Sequence, residues 1–155
     1  MHETWPKIEK IFHLNETPAG LKILVCNSEI LSPPSDMQQD ITLLTPPHGL
    51  PALNFSQQAF HLALCAHFLF WFSDLLSEDF HVAALTSFCR VATEVRIYPL
   101  MDRLGQPSAH LGNVLQRLQI AGIGIEIQSD ALLRLWTETC TVNPNKKAET
   151  GVQRV

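Results

Sequence analysis

The chain has 155 residues, of which 46% are hydrophobic and 17% are charged. This length and composition are typical of one globular domain that can bury a core. The formal net charge of −4, without a basic block, gives no electrostatic footprint for nucleic acid. The start, MHETWP, has neither a basic n-region nor an apolar h-region. We therefore expect no secretory signal and predict a cytoplasmic protein.

The first 48 residues are predicted to form an irregular N-terminal segment, because seven of the ten prolines lie between positions 6 and 51. Within this segment, residues 5–13 have the apolar spacing of a short helix. Residues 21–26 and 40–45 are short β-prone runs, separated by the loop-forming sequence SPPSD.

Residues 59–100 are the stretch around which the rest is organised. An apolar run at 60–72 is followed by an amphipathic helical pattern at 78–92 and a second β-rich run at 94–100. This order is typical of a βαβ unit in a parallel sheet whose strands are covered on both faces. Alternation in the strand at 60–66 places His61, Ala63 and Cys65 on one face.

The remaining chain continues the alternation of elements. Residues 109–121 have helical spacing and end at a glycine, and 123–127 form a further predicted strand. A last strand is expected within 133–142, and the polar tail at 143–155 is predicted to be disordered.

A membrane span is the alternative interpretation of residues 59–76, because that run approaches the length needed to cross a bilayer. His61, His67 and Ser73 interrupt it, and neither Lys nor Arg flanks either end. A strand followed by a loop explains the run better, so we expect no membrane association.

Three segments carry a resemblance to a known family: FHLALCAHFLF at 60–70, DFHVAAL at 79–85 and RVATEVRIYPL at 90–100. In this order and spacing they resemble the carboxy-terminal half of a class I SAM-dependent methyltransferase, over roughly residues 49–128. The resemblance implies an α/β fold, a partial Rossmann-like methyltransferase sheet with flanking helices. It also implies a methyltransferase-like half-domain at 49–142.

The resemblance further implies where S-adenosylmethionine, the methyl donor, would bind. The loop before the strand at 60–66 would lie beside the adenine, and the end of that strand would lie near the sulfonium, which an aromatic ring can hold. The implied cofactor contacts are Leu50, Pro51, Leu53, His67 and Phe68.

Substrate contacts are implied for Phe70, Phe80 and His81, which lie near the same end of the strand at 60–66. The alternative is core packing, which we expect for at least two of the four aromatic residues at positions 68, 70, 71 and 72. A small molecule or another acceptor would receive the methyl group, and no catalytic residue is assigned.

Cysteines at positions 26, 65, 89 and 140 lack CxxC spacing and are expected to be reduced core thiols. His61, Cys65 and His67 share a strand face, but a strand spreads them over about 20 Å, too far for one ion. We therefore predict no metal site.

The glycine-rich turn that normally cradles the cofactor after the first strand has no counterpart in the first hundred residues. Glu29 is the one candidate for the ribose-binding carboxylate, and Gly49 stands where the family often has an adenine-binding carboxylate. Three interpretations stay open: an enzyme with an unusual cradle, an inactive binding or scaffold module, and a degenerate, truncated remnant.

The missing turn also has a structural consequence, since the strand at 60–66 would be a bare apolar edge, which proteins avoid. We expect residues 21–26 to pair beside it. The alternatives are a partner chain or a second copy in a homo-oligomer.

Overall fold

The protein is described here from a computed structural model, which describes residues 4–18, 20–27, 31–46, 50–128 and 131–137. Glu29, Gly49, Cys140 and the tail at 143–155 lie outside the described residues.

One six-stranded mixed sheet forms the centre of the fold, with strand order β2-β1-β3-β4-β6-β5. Strands β1 to β4 are mutually parallel, whereas β6 runs antiparallel to both β4 and β5. The strands are β1 Ile23–Asn27, β2 Ile41–Leu44, β3 Phe60–Ala66, β4 Ala92–Tyr98, β5 Ile123–Gln128 and β6 Leu132–Thr137. This arrangement confirms the predicted α/β class.

Within the described residues, three α-helices flank the sheet: α1 Trp5–Ile11, α2 Glu78–Val91 and α3 Leu111–Ile120. Helix α2 begins at a Ser77 cap, whose Oγ accepts a hydrogen bond of 3.0 Å from the Phe80 N–H. Helix α3 ends before Gly122, which has a left-handed φ of 89°. A 3-10 turn, Leu14–Glu16, follows α1. In the described part of the chain, no helix combines the length and the apolar character needed to cross a bilayer.

The two faces of the sheet bury separate clusters, because alternate strand residues point in opposite directions. Helices α2 and α3 cover one face, where the buried residues include Leu24, Ala63, Cys65, Leu85, Phe88, Val95 and Leu118. Helix α1 covers part of the other face, where they include Trp5, Ile8, Phe12, Val25, Leu62 and Leu64. The predicted alternation within β3 is confirmed, and His61 is the exposed member of its face.

The N-terminal third is more regular than its proline content predicts. Strand β1 pairs in parallel with β3 from Ile23↔Leu62 to Asn27↔Ala66. This confirms the prediction that residues 21–26 pair beside the strand at 60–66. Strand β2 then pairs on the outer side of β1. Apart from Pro6 in the first turn of α1, the described prolines of this third lie between elements, as at 33–34 and 46, and not within the strands.

An ion-pair network fixes the end of α1 to the sheet. The guanidinium of Arg96 donates to the Phe12 carbonyl at 2.7 Å and to Glu94 Oε2 at 2.8 Å. Arg134 on β6 donates to the same Glu94 oxygen at 2.7 Å and to Glu126 at 3.1 Å. Burial alone would raise the pKa of Glu94, but hydrogen bonds and charge from Arg134 and Arg96 outweigh it and lower that pKa.

Candidate functional site

The four parallel strands end at a common edge of the sheet, at Asn27, Leu44, Ala66 and Tyr98. From β1 the chain passes to β2 on one side, while from β3 it passes to β4 on the other side. The topological switch point therefore lies between β1 and β3. Ligands of doubly wound sheets bind in the crevice beyond the carboxyl ends at such a point.

His67 follows β3 directly and therefore lies at this carboxyl end of the sheet. It has a left-handed φ of 52°, and its N–H donates to the Tyr98 carbonyl at 2.8 Å. The centroid of its ring lies 5.2 Å from that of Trp71 and 5.7 Å from that of Tyr98, and both contacts are edge-to-face. All three residues are partly exposed. We call His67, Trp71 and Tyr98 the ring cluster; its rings offer faces that suit a cation or a planar base.

Two other aromatic residues of the β3–α2 loop, residues 67–77, are buried in the core. Phe68 is 7% exposed and lies 6.2 Å from the Phe80 ring, whereas Phe70 has no exposed surface. This confirms that at least two of the four loop aromatics are core residues. Phe70 also has a left-handed φ of 65°, so the loop holds two non-glycine residues in that conformation.

His81, predicted to contact substrate, is fully buried in the first turns of α2. Its Nε2 accepts a hydrogen bond of 3.1 Å from the Phe70 N–H, so the ring proton must be on Nδ1, which donates to the Ser77 carbonyl at 2.7 Å. Burial lowers the pKa of His81; the bond to Ser77 opposes this, and the nearby His110 adds to the lowering.

A chain of polar contacts links this loop to the one after β4. Ser73 Oγ donates to the Phe70 carbonyl at 2.6 Å and accepts from the Ser108 hydroxyl. His110 donates from Nε2 to the Ser73 carbonyl at 3.0 Å, and its ring lies 5.0 Å from that of His81. Buried polar groups that satisfy one another in this way hold both loops in one arrangement.

The structure does not bring Leu53 to the ring cluster. Its N–H donates to Ser87 Oγ at 2.9 Å and its carbonyl accepts from Arg90 at 2.6 Å, both in the second half of α2. Ser87 lies six residues beyond His81, or about 9 Å along the helix axis. Leu50 and Pro51, three and two residues before Leu53, are partly exposed. A cofactor contact by these three residues stays a prediction.

Carboxylates for a ribose are missing from the described part of this edge. Strand β2 is followed by Thr45 and Pro46, where the fold class often places an acid. The described residues therefore supply no acid at the end of β2 for the sugar hydroxyls.

The three cysteines in the described part of the chain are buried thiols. Cys26 and Cys65 are paired across β1 and β3, and Cys89 lies in α2; all three are free and buried. A hydrogen bond from Cys65 and burial raise the pKa of Cys26 well above its usual value, and burial raises the pKa of Cys89 to about 12. Over the described ranges, His, Cys, Asp and Glu side chains form no group of three or more that could hold a metal ion.

Several residues of the site were not identified from the sequence, namely Ser73, Tyr98, Ser108 and His110. They lie at loop positions with no distinctive spacing relative to His67 or His81. The available signal was indirect: Tyr98 and His67 both end strands that were predicted to be parallel neighbours, so their juxtaposition could have been inferred.

Of the comparisons with known proteins, the one with solved structures bears on the fold. No protein-family profile matches the chain. The sequence is 30% identical over 66 residues to an uncharacterised protein of Methanocaldococcus jannaschii; the match covers 43% of this chain but only 30% of that protein. The structure is similar to that of a TehB-like SAM-dependent methyltransferase from Corynebacterium glutamicum, with a TM-score of 0.50, 13% identity, and 83% and 86% of the two chains covered.

A SAM-dependent methyltransferase from Aquifex aeolicus is similar with a TM-score of 0.49 and 13% identity, over 83% of this chain and 87% of that one. At these identities the likeness concerns the fold. The chain has the Rossmann-like fold of class I SAM-dependent methyltransferases.

Proposed function

We propose that this chain, with its methyltransferase-like fold, binds S-adenosylmethionine at the carboxyl edge of the sheet and transfers the methyl group to a small-molecule acceptor. The observation that carries the proposal is the position of the ring cluster at the carboxyl ends of β3 and β4, where β3 is one of the two strands that flank the switch point.

The cofactor, when bound, supplies a methyl group on a cationic sulfur. The ring cluster would hold that cation, since aromatic faces attract cations by about 0.5–2 kcal/mol. Methyl transfer depends mainly on positioning, so rigid placement of the rings by the His67 N–H bond to Tyr98 serves the reaction directly. Leu50 and Pro51 are retained as the proposed apolar contacts of the adenine, and Phe68, which follows His67 in the chain, as a further proposed contact of the cofactor.

The proposed acceptor contacts differ in how accessible they are. Phe80 is partly exposed, whereas Phe70 and His81 have no exposed surface. Contact of either buried residue with an acceptor requires the β3–α2 loop to move. We therefore propose that Phe80 contacts the acceptor when the loop is arranged as described. Phe70 and His81 would instead hold the loop in place from the core.

A binding module without methyl transfer is the second candidate. It is favoured by the absence of a carboxylate directly after β2 in the described residues, since a weakly held sugar lowers affinity for the donor. Because β1 pairs along the side of β3 that faces away from β4, a partner chain is not needed there.

Calorimetric titration of the full chain with S-adenosylmethionine tests the proposal. We expect micromolar affinity, and at least tenfold weaker binding by the Trp71→Leu and His67→Asn variants, because both remove rings from the cluster. Asn tolerates the left-handed backbone at position 67. His61→Ala, at the opposite end of the same strand, is the matched control and should bind as the wild type does.

Radiolabelled S-adenosylmethionine then separates the two candidates. Transfer of label to a small-molecule cell extract supports the enzyme, and binding without transfer supports the module. Absence of binding by a protein that melts cooperatively would reject both.

A further inference from the structure

His81 makes a contact that depends on its protonation state. Only a neutral imidazole has a nitrogen that can accept the Phe70 N–H, because both ring nitrogens of the cation are donors. The Phe70 N–H is buried in the core, so no solvent replaces the lost acceptor.

The Phe70 peptide fixes the β3–α2 loop. Its N–H is held by His81 and its carbonyl by Ser73, on either side of a residue in the left-handed conformation. Non-glycine residues keep that conformation only where surrounding contacts impose it. The ring-cluster residues His67 and Trp71 belong to the same loop.

The charged groups around His81 do not stabilise its cation strongly. His110, from the loop after β4, lies 5.0 Å away between ring centroids and would repel a charge on His81. The acids on neighbouring segments are engaged elsewhere: Asp74 pairs with Arg103, and Glu78 and Asp79 pair with Arg117 of α3. Burial is the largest influence, and it lowers the pKa of His81.

We propose that neutral His81 is a positioning residue that holds the β3–α2 loop closed over the core, and that protonation of its Nε2 releases the loop. Release leaves α2 intact, because the helix keeps its Ser77 cap and its packing on the sheet. Combined with the proposed function, on which this last step rests, the release would weaken S-adenosylmethionine binding as the pH falls below neutrality.

Nuclear magnetic resonance of the ¹⁵N-labelled full chain tests the release without any ligand. The ring nitrogens of His81 report its tautomer and protonation, and the exchange protection of the Phe70 amide, corrected for intrinsic rate, reports the contact. One pH unit below the His81 midpoint, about a tenth of the rings stay neutral and about nine-tenths of the loops are released, so we expect the protection factor of the Phe70 amide to fall to about 1. The Leu85 amide, inside α2, is the internal control and should keep its protection.

His81→Gln is the matched variant, since its amide oxygen can accept the Phe70 N–H at every pH. We expect its Phe70 protection to be independent of pH. Constant protection at Phe70 while the wild-type His81 ring becomes protonated would overturn the proposal. So would a joint loss of protection at Phe70 and Leu85, or the same pH-dependent loss in His81→Gln.

The wild-type titration stands alone if the variant does not fold. Loop release without S-adenosylmethionine binding at any pH would reject the proposed function and leave the role of His81 in place.

Discussion

The indole of Trp136 covers the backbone of Gly124, its direct partner in the antiparallel pairing of β5 and β6. A Cβ added at position 124 would overlap the indole ring. Trp136 is itself only 5% exposed, so the ring has little room to move aside. The glycine is therefore required by close packing across the strands and not by an unusual φ angle.

Gly124→Ala should lower the free energy of unfolding by about 1–3 kcal/mol, the usual cost of overpacking a well-filled site. Urea unfolding monitored by circular dichroism measures this change. Gly112→Ala is the control, because it lies in α3 with open space around its Cβ and should leave stability unchanged or raise it. Equal effects of the two substitutions would show that Trp136 does not pack as described.

Glu94→Gln should destabilise the fold by about 2–4 kcal/mol at pH 7, because two arginines lose the carboxylate that they share in a mostly buried site. Glu126→Gln removes a partner of Arg134 that is more exposed than Glu94, so it should cost less than about 1 kcal/mol. Urea unfolding of both variants gives the comparison.

The same variant tests a pH dependence. The pKa of Glu94 is lowered in the folded state, so its contribution is present above its unfolded pKa and is lost as the pH falls through the folded pKa. Between pH 5 and pH 3, the wild type should thus lose more stability than Glu94→Gln. Parallel curves for the two proteins over that interval would contradict the role of the network.

Ser77→Ala should cost about 1 kcal/mol, since the first turn of α2 loses the acceptor for the Phe80 N–H. Thr86→Ala, at an exposed position within the same helix, is the matched control and should change stability by less than about 0.5 kcal/mol. Thermal melts of the two variants decide between a capping role and a general sensitivity of α2.

The thiols of Cys26, Cys65 and Cys89 should not react with a thiol reagent in the native protein, because all three are buried and two have raised pKa values. Measured in a Cys140→Ser background, three thiols should appear only on unfolding. Rapid native reaction of any of them would place it outside the core.

The central βαβ unit could be predicted from residues 59–100, because apolar runs of strand length flank a helical pattern of 3.6-residue period. The pairing of β1 with β3 could also be predicted, since an apolar strand without a neighbour is unstable. Strand β2 could not be placed, because its four residues carry little pattern and its pairing depends on the twist and length of the connection after β1.

The site was less accessible to sequence reasoning for a physical reason. His67 could be placed at the end of a strand, but its contact with Tyr98 depends on the register of β3 with β4, which no local pattern specifies. His81 was expected to face a substrate because it begins a helix near the edge. A helix of this period presents His81 on the buried side, where Phe70 supplies its hydrogen bond.

Chemical-shift mapping with S-adenosylmethionine is the most direct test of a donor site at the carboxyl edge. In the ¹⁵N-labelled full chain, we predict saturable shifts of the His67, Trp71 and Tyr98 amides, with Lys22 and His61 at the opposite edge unchanged. No saturable shift at millimolar donor, or shifts confined to the opposite edge, would contradict the proposed site.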